Sequence, residues 1–167
     1  MVIVKFLNLF LIGFICFYLG EVKAKSYKNR VLELNKFQNS LVMFKSKLEY
    51  TYETIKEVFT DTSQVIYENK NNIFIDTLNN DKEIYISWNE AIDNAKNDFT
   101  VEDKEIMKMF GKLLGKTDIK GQLSQIELTQ KLIEKQIEKA EFEKNKNSKL
   151  YKTIGIISGI AICIILV

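Results

Sequence analysis

The chain has apolar residues at both ends and a polar middle, and this distribution constrains its fold more than any other feature. Fourteen uncharged residues, Ile154–Val167, stand at one end, and a second apolar stretch, Val2–Gly20, stands at the other. A bilayer core of about 30 Å is crossed by about 20 helical residues. We therefore predict an N-terminal transmembrane helix at residues 1–20, a polar domain at 21–152 and a C-terminal transmembrane helix at 153–167.

Basic residues flank the inner side of both apolar stretches, and they predict an orientation. Lysine and arginine beside membrane helices stay on the cytoplasmic side, so the middle domain is expected in the cytoplasm. The flanking residues are Lys23, Lys25, Lys28, Arg30, Lys144, Lys146, Lys149 and Lys152. An alternative reading treats residues 1–24 as a cleaved signal peptide, which would make the chain an exported or tail-anchored helical coiled-coil protein.

The charge balance and the absence of histidine exclude several functions. The chain has 24 basic and 22 acidic residues, and only Lys5 lies outside the middle. This near-neutral balance gives no reason to expect nucleic acid. Both cysteines, Cys16 and Cys163, lie in the apolar ends, so the middle lacks zinc spacing and cysteine or histidine chemistry. We predict no catalytic residue, no cofactor, no metal and no small-molecule substrate.

The middle of the chain has the composition and periodicity of an all-α domain, a small helical bundle. It contains no proline and is rich in Lys, Glu, Ile and Leu. Apolar residues at steps of three or four from Leu34 to Phe59 predict an amphipathic helix that breaks near Tyr50–Thr54. A helix at about 62–78, a turn at Asn79–Asp81 and a short helix capped by Ser87 are expected next.

The only tryptophan, Trp88, is expected to plug the core rather than to hold a ligand. A further helix is expected after Thr100, where Thr100-Val-Glu-Asp103 resembles a capping box. It carries Phe110 in its apolar stripe, together with Ile106, Met109, Leu113 and Leu114. Gly111 and Gly115 flank a turn, and Gly115 stands where a left-handed glycine would end the helix.

From Ile119 onward no residue interrupts the helical pattern. Thr117 or Asp118 is expected to cap this last helix, which continues as a long stalk into the C-terminal apolar stretch. A heptad-like seam is expected along it, with Gln130 as the exception. Its members are Ile119, Leu123, Ile126, Ile133, Ile137 and Ala140.

A GxxxG pattern lies in the C-terminal apolar stretch. Gly155 and Gly159, with Ser158 beside them, are small residues that let two membrane helices approach closely. The competing interpretation is that glycine is simply common in membrane helices. Gly13 and Gly20 offer a small face on the first apolar stretch.

An enzymatic interpretation has little support in the sequence. The nearest polar clusters are Asp118 near Lys116 and Glu102 near Asp103, and helix caps and solvated charges explain them better. The segment containing Gly111, Gly115, Lys116 and Thr117 superficially resembles a phosphate loop. Its GxxxGKT spacing is one residue short of that loop, and no strand precedes it. A corner between two helices explains the same residues.

The motif Phe110-Gly-Lys-Leu-Leu-Gly-Lys-Thr-Asp118, followed by Gln122 and Ile126-Glu-Leu-Thr129, resembles the hallmark segment of the stage III sporulation protein AB family. Lys149-Leu-Tyr-Lys-Thr-Ile-Gly155, which leads into the apolar end, resembles it too. Further similar positions are Arg30, Leu32, Leu34, Leu48-Glu-Tyr50, Trp88 and Ala91. The family usually has a proline-containing turn after Tyr50, and this chain lacks it.

The resemblance implies a membrane protein of endospore-forming bacteria that belongs to the assembly spanning the two membranes between mother cell and forespore. It implies a domain similar to the cytoplasmic domain of type II secretion F proteins, in the outer forespore membrane and facing the mother-cell cytoplasm. The implied partners are the other channel subunits and the family's hexameric secretion-type ATPase, while the apolar ends predict contact with membrane lipid. The role expected is a non-enzymatic assembly platform that contacts this ATPase.

Overall fold

The computed structural model describes residues 2–51, 53–68, 72–79, 82–112 and 114–166, and it contains helices and no strand within those ranges. The predicted all-α class is confirmed. Two long helices stand at the ends of the chain and four shorter ones between them. The elements are α1 (Val2–Tyr50), α2 (Ile55–Tyr67), α3 (Ile73–Leu78), α4 (Ile84–Asn94), α5 (Val101–Gly111) and α6 (Ile119–Leu166).

The chain divides into two compact units. Unit 1 comprises Met1–Val31 and Lys139–Val167, and unit 2 comprises Leu32–Glu138. Each unit takes part of α1 and part of α6, whereas the four short helices belong to unit 2. The boundaries expected from the sequence, 20/21 and 152/153, followed hydropathy rather than packing and stay a prediction.

Unit 2 is built around a cluster of six aromatic rings. The rings of Phe37 and Phe44 on α1 are fully buried, as predicted from the three-and-four spacing of that stripe. Neighbouring ring centroids lie between 5.2 and 6.4 Å apart, and several pairs meet edge to face. Such pairs add stability beyond their buried area. The other members are Phe59, Phe74, Trp88 and Phe110.

The buried stripe of α6 in unit 2 differs from the predicted seam. Ile126 and Ile133 are buried as expected, but Thr129 and Gln136 are buried with them, and Ile119 is exposed. Thr129 can enter the stripe because its hydroxyl donates to the Gln125 carbonyl oxygen at 2.8 Å. A search for apolar residues alone therefore misses these polar members of the stripe.

The predicted break after Tyr50 is present, but the single helix expected at about 62–78 is wrong. Thr54 and Glu57 form a capping box that starts α2 at Ile55. The helix ends at Tyr67, where Glu68 takes a left-handed conformation with φ of 53°. Asn72 then caps the separate helix α3 through its side chain. Asn79 follows α3, and the rest of the expected turn, 80–81, lies outside the described residues.

The starts of the next two helices differ in how well the sequence predicted them. The capping box at Thr100 and Asp103 is confirmed. The expected cap at Ser87 is wrong, since α4 begins at Ile84 and Ser87 lies buried inside it. A hydroxyl residue predicts a cap only where the helix in fact begins, and the apolar residues before Ser87 extend the helix toward the N-terminus.

Within the described part of the chain, no helix contains a stretch long and apolar enough to cross a membrane. The predicted transmembrane helices at residues 1–20 and 153–167 are therefore not supported by the described helices. The uncharged C-terminal stretch has fourteen residues, fewer than the about 20 that a bilayer core takes. The side chains of residues 1–10, Cys163 and 165–167 lie outside what the structure describes.

Candidate functional site

The motif residues 110–118 form the corner between α5 and α6. Helix α5 ends at Gly111, earlier than the predicted end beside Gly115, and the Lys112 N–H donates to the Met109 carbonyl oxygen at 3.3 Å. Gly115 has φ of +72°, a conformation that residues with a Cβ adopt at a cost. Gly115 therefore shapes the corner several residues after the helix has ended.

Asp118 is the residue that precedes α6, and its side chain supports the start of that helix. Its carboxylate oxygen accepts from the Gly121 N–H at 3.0 Å, as an N-cap does. Thr117 stands just before it, and its carbonyl oxygen accepts from the Gln122 side chain at 2.9 Å. The corner is thus tied to the first turn of α6 by two side-chain bonds.

Trp88 joins the corner to the aromatic cluster of unit 2. Its side chain is fully buried, and its Nε1 donates to the Met107 carbonyl oxygen at 2.7 Å. A Cβ added to Gly111 would collide with the indole ring. Phe110 lies 5.6 Å from the same ring, centroid to centroid. Gly111 therefore provides the space in which α4 and α5 meet at the indole.

Lys116 and Asp103, which belong to the polar clusters noted in the sequence, are engaged in structural bonds, whereas the Thr117 hydroxyl is buried without a hydrogen-bond partner. Lys116 pairs with Glu83 at 2.7 Å and lies 5.4 Å above the Tyr85 ring, rather than pairing with Asp118. Asp103 is fully buried and accepts from the Thr100 N–H at 2.8 Å. Among the described residues, no group of three or more histidine, cysteine or acidic side chains could hold a metal ion.

The glycines of the two apolar ends face each other inside unit 1. A Cβ added to Gly155 would lie 2.9 Å from the Cys16 carbonyl oxygen and 3.2 Å from the Gly20 Cα. A Cβ added to Gly159 would lie 3.2 Å from the Gly13 carbonyl oxygen. Ser158 is half-buried beside them. The GxxxG pattern therefore lines a contact between α1 and α6 of one chain.

Ion pairs and stacked rings continue this contact away from the apolar ends. Glu21 pairs with Lys152, and Arg30, only 4% exposed, pairs with Glu143 at 2.7 Å. The rings of Tyr27 and Tyr151 stack with centroids 5.9 Å apart. Burial, together with the adjacent Tyr151, raises the pKa of Tyr27. The partner numbers fall on α6 as they rise on α1, so the helices are antiparallel here.

An open apolar groove lies between α1 and α2 of unit 2, with a volume of about 420 Å³. Val42 and Val65 on its walls are 53% and 69% exposed. Its one charged lining residue is Lys47, whose ammonium group donates to Asp61 at 2.5 Å and to Glu53 at 2.8 Å. These bonds raise the pKa of Lys47. The groove offers apolar contact rather than acid–base chemistry.

Several buried polar residues were missed by sequence reasoning. Thr62 and Ser87 are fully buried, and their hydroxyl oxygens have no hydrogen-bond partner. Tyr67 is also largely enclosed, and burial raises the pKa of its phenol. In the sequence these residues are indistinguishable from surface polar residues, because only the packing of the short helices encloses them.

The described residues form an all-helical protein with two units. Unit 2 has an aromatic core, unit 1 is a helix pair with glycines at its contact, and each unit contains part of α1 and part of α6. A family model described as Stage III sporulation protein AB (spore_III_AB) matches residues 5–167, essentially the whole chain. The chain belongs to this family, as its motifs predicted. It is a sporulation family and not a known enzyme family. No curated protein and no solved structure matches the chain.

Proposed function

We propose that this protein is a non-enzymatic, membrane-anchored subunit of the channel assembly between mother cell and forespore during endospore formation. The observation that carries the proposal is the family match over residues 5–167. The motif side chains support it, because the corner residues cap helices and fill the core instead of converging on a reaction centre. In this role unit 2 is the platform on which other subunits assemble.

The exposed side chains of unit 1 support attachment to the membrane. Both helices carry large apolar residues on their outer faces while glycines occupy the contact between them. Water-soluble surfaces rarely expose so many large apolar groups together. They are Leu11, Phe14, Ile15, Phe17, Tyr18, Leu19, Val22, Ile154, Ile156, Ile157, Ile160 and Ile164, each between 43% and 72% exposed. We place this unit at the outer forespore membrane, with unit 2 in the mother-cell cytoplasm.

The proposed partner of unit 2 is the hexameric secretion-type ATPase. A subunit that transmits mechanical work needs a well-packed body, and the aromatic cluster around Trp88 provides one. The type II secretion F-like role rests on the family alone, which is an argument by analogy.

In-cell crosslinking during sporulation tests the platform role. A tagged full-length chain should capture the ATPase and other channel subunits. Gly111→Leu, which forces a side chain into the Trp88 ring, should lose this capture while the protein still fractionates with membranes. Lys112→Leu, which places the same side chain at the exposed neighbouring position, serves as the comparison. Failure of the unaltered chain to capture any of these subunits would contradict the proposal.

The contacts of unit 1 argue against removal of residues 1–24 as a signal peptide. Ala24 is fully buried, Glu21 pairs with Lys152, and Gly20 lies against Gly155. Cleavage would strip α6 of these partners. Intact-mass measurement of the protein from sporulating cells should therefore show Met1 or Val2 retained, whereas a mature chain beginning near Lys25 would favour the exported alternative.

A further inference from the structure

The near-neutral charge of the whole chain conceals a strong asymmetry between its two units. Unit 1 contains ten basic and three acidic residues, a net charge of +7, whereas unit 2 contains 14 basic and 19 acidic residues, a net charge of −5. The sequence alone suggested no such division, because the boundary between the units follows packing and not hydropathy. The positive charge therefore belongs to the unit that also exposes the apolar side chains.

Five of the six exposed lysines that the structure describes in unit 1 lie in one layer of the helix pair, and the sixth, Lys139, lies beyond the Arg30–Glu143 contact. We call Lys23, Lys25, Lys28, Lys146 and Lys149 the basic collar; all five side chains are exposed. The contacts Glu21–Lys152 and Arg30–Glu143 bracket this layer, so the lysines of α1 and those of α6 lie at the same level.

The exposed surface of unit 1 on one side of the basic collar differs in chemistry from the collar itself. Toward the chain ends, the exposed surface is apolar, from Val22 to Leu11 on α1 and from Ile154 to Ile164 on α6. The stacked rings of Tyr27 and Tyr151 lie within the collar itself. Tyrosine and lysine beside an apolar segment are the residues expected at the level of lipid headgroups.

We propose that the basic collar binds the phosphate-bearing headgroups of anionic lipids, with the adjoining apolar side chains in the acyl region. This inference rests on the membrane attachment proposed above and adds a lipid class to it. Lysines near an anionic membrane surface each contribute attraction that decays within a Debye length. A nucleic acid could bind the same lysines, but it would not cover the apolar surface that adjoins them.

Vesicle flotation of the full-length protein tests the lipid preference. The chain is diluted from mild detergent into vesicles of phosphatidylcholine alone or with about one-third phosphatidylglycerol. We expect tighter binding to the anionic vesicles and a preference that shrinks as salt is raised from about 0.1 M to about 1 M. Equal binding to both vesicles overturns the inference and leaves membrane attachment standing. Binding to neither overturns both.

Matched lysine variants separate the collar from general charge. The triple variant carries Lys25→Gln, Lys28→Gln and Lys149→Gln. Its ratio of binding to anionic over phosphatidylcholine vesicles should fall by about fivefold for each lysine replaced, about a hundredfold in all. Binding to phosphatidylcholine should be unchanged. The control carries the same substitution at three exposed lysines of unit 2, Lys56, Lys120 and Lys131, and should retain the preference. An equal loss in the control contradicts a site at the collar.

A competition experiment tests whether the basic collar binds nucleic acid in preference to anionic lipid. Short duplex DNA, added at the same concentration of phosphate charge as the anionic lipid, should leave the protein on the vesicles. Displacement of the protein by the DNA would overturn the lipid assignment in favour of nucleic acid.

Discussion

Two glycines of the corner between α5 and α6 have different physical roles. Gly115 supplies a left-handed backbone, with φ of +72°, and Gly111 leaves room for the Trp88 indole. The role of Gly115 is readable from sequence because a glycine near a helix end is the usual left-handed residue. The role of Gly111 is not, because its neighbour lies on another helix and no local pattern connects the two.

Replacement of Gly115 separates backbone strain from side-chain size. Gly115→Val should lower the free energy of unfolding by about 1 kcal/mol or more, because a β-branched residue is strained at positive φ. Gly115→Asn should cost less, since asparagine tolerates this region. Urea unfolding followed by the fluorescence of Trp88, the only tryptophan, measures both. Equal effects of the two substitutions would show that crowding against Ile55 dominates instead.

A double-mutant cycle tests the contact between Gly111 and Trp88. Gly111→Ala alone should destabilise the protein by about 1–3 kcal/mol through overpacking against the indole. In a Trp88→Phe background, where the ring is smaller, the same change should cost less, so the two effects are not additive. Thermal unfolding followed by circular dichroism suits all four proteins. Strict additivity would mean that the two residues do not interact.

The long helices show what a sequence reveals about an element and what it leaves open. The uninterrupted pattern after Ile119 predicted the continuous helix α6, and the stripe from Leu34 predicted the buried face of α1. The partner of each face was not predictable. The glycines of α6 could equally have met another chain, and only the folded unit shows them against Gly13 and Gly20. The separate helix α3 was missed because its start depends on the side-chain cap at Asn72.

The capping box of α2 predicts a pH-dependent contribution to stability. The Thr54 N–H and hydroxyl both donate to the Glu57 carboxylate at 2.8 Å and lower the pKa of Glu57 from its ordinary value. A depressed pKa means that the stabilisation is present above the ordinary pKa and is lost as pH falls through the lower folded value. As the pH is lowered from about 6 to about 3, the midpoint of unfolding should therefore fall less in the Glu57→Gln variant than in the unaltered protein.

The matched control for this cap is Glu134→Gln, a change at another exposed glutamate of unit 2. It should leave the acid dependence close to that of the unaltered protein. If the two variants respond alike across the acid range, the capping box does not account for the dependence.

An engineered disulfide tests the pairing of α1 with α6 in unit 1. A Cβ at position 159 would lie 3.7 Å from the Cβ of Cys16, within the range of disulfide bonds. With Cys163 replaced by serine, oxidised Gly159→Cys should form an intramolecular link, seen by non-reducing electrophoresis and mass spectrometry. Ile160→Cys, at an exposed position, is the control and should not link. Disulfide-linked dimers would instead indicate that the glycines pair between chains.

At the scale of the whole chain, the pairing of α1 with α6 in unit 1 strengthens the predicted orientation. In the sequence, that orientation could be argued only from each basic flank separately. The lysine flanks of α1 and α6 independently predicted one orientation. Because Glu21 pairs with Lys152 and Arg30 with Glu143, the two flanks form one layer. Under the membrane attachment proposed above, both flanks would therefore face the same side of the membrane, and their lysines and arginine predict that this is the cytoplasmic side.

Thiol accessibility in sporulating cells tests this orientation. Cys16 and Cys163 are replaced, and a single cysteine is introduced at the exposed position Asn145 of unit 1 or Asn39 of unit 2. A membrane-impermeant reagent added to protoplasts should label neither position before lysis and both after it. If both cysteines are protected before lysis, the basic collar and unit 2 lie on the cytoplasmic side, where an ATPase can reach them. Labelling of intact protoplasts would reverse the orientation, remove the access that the platform role requires and favour the exported alternative.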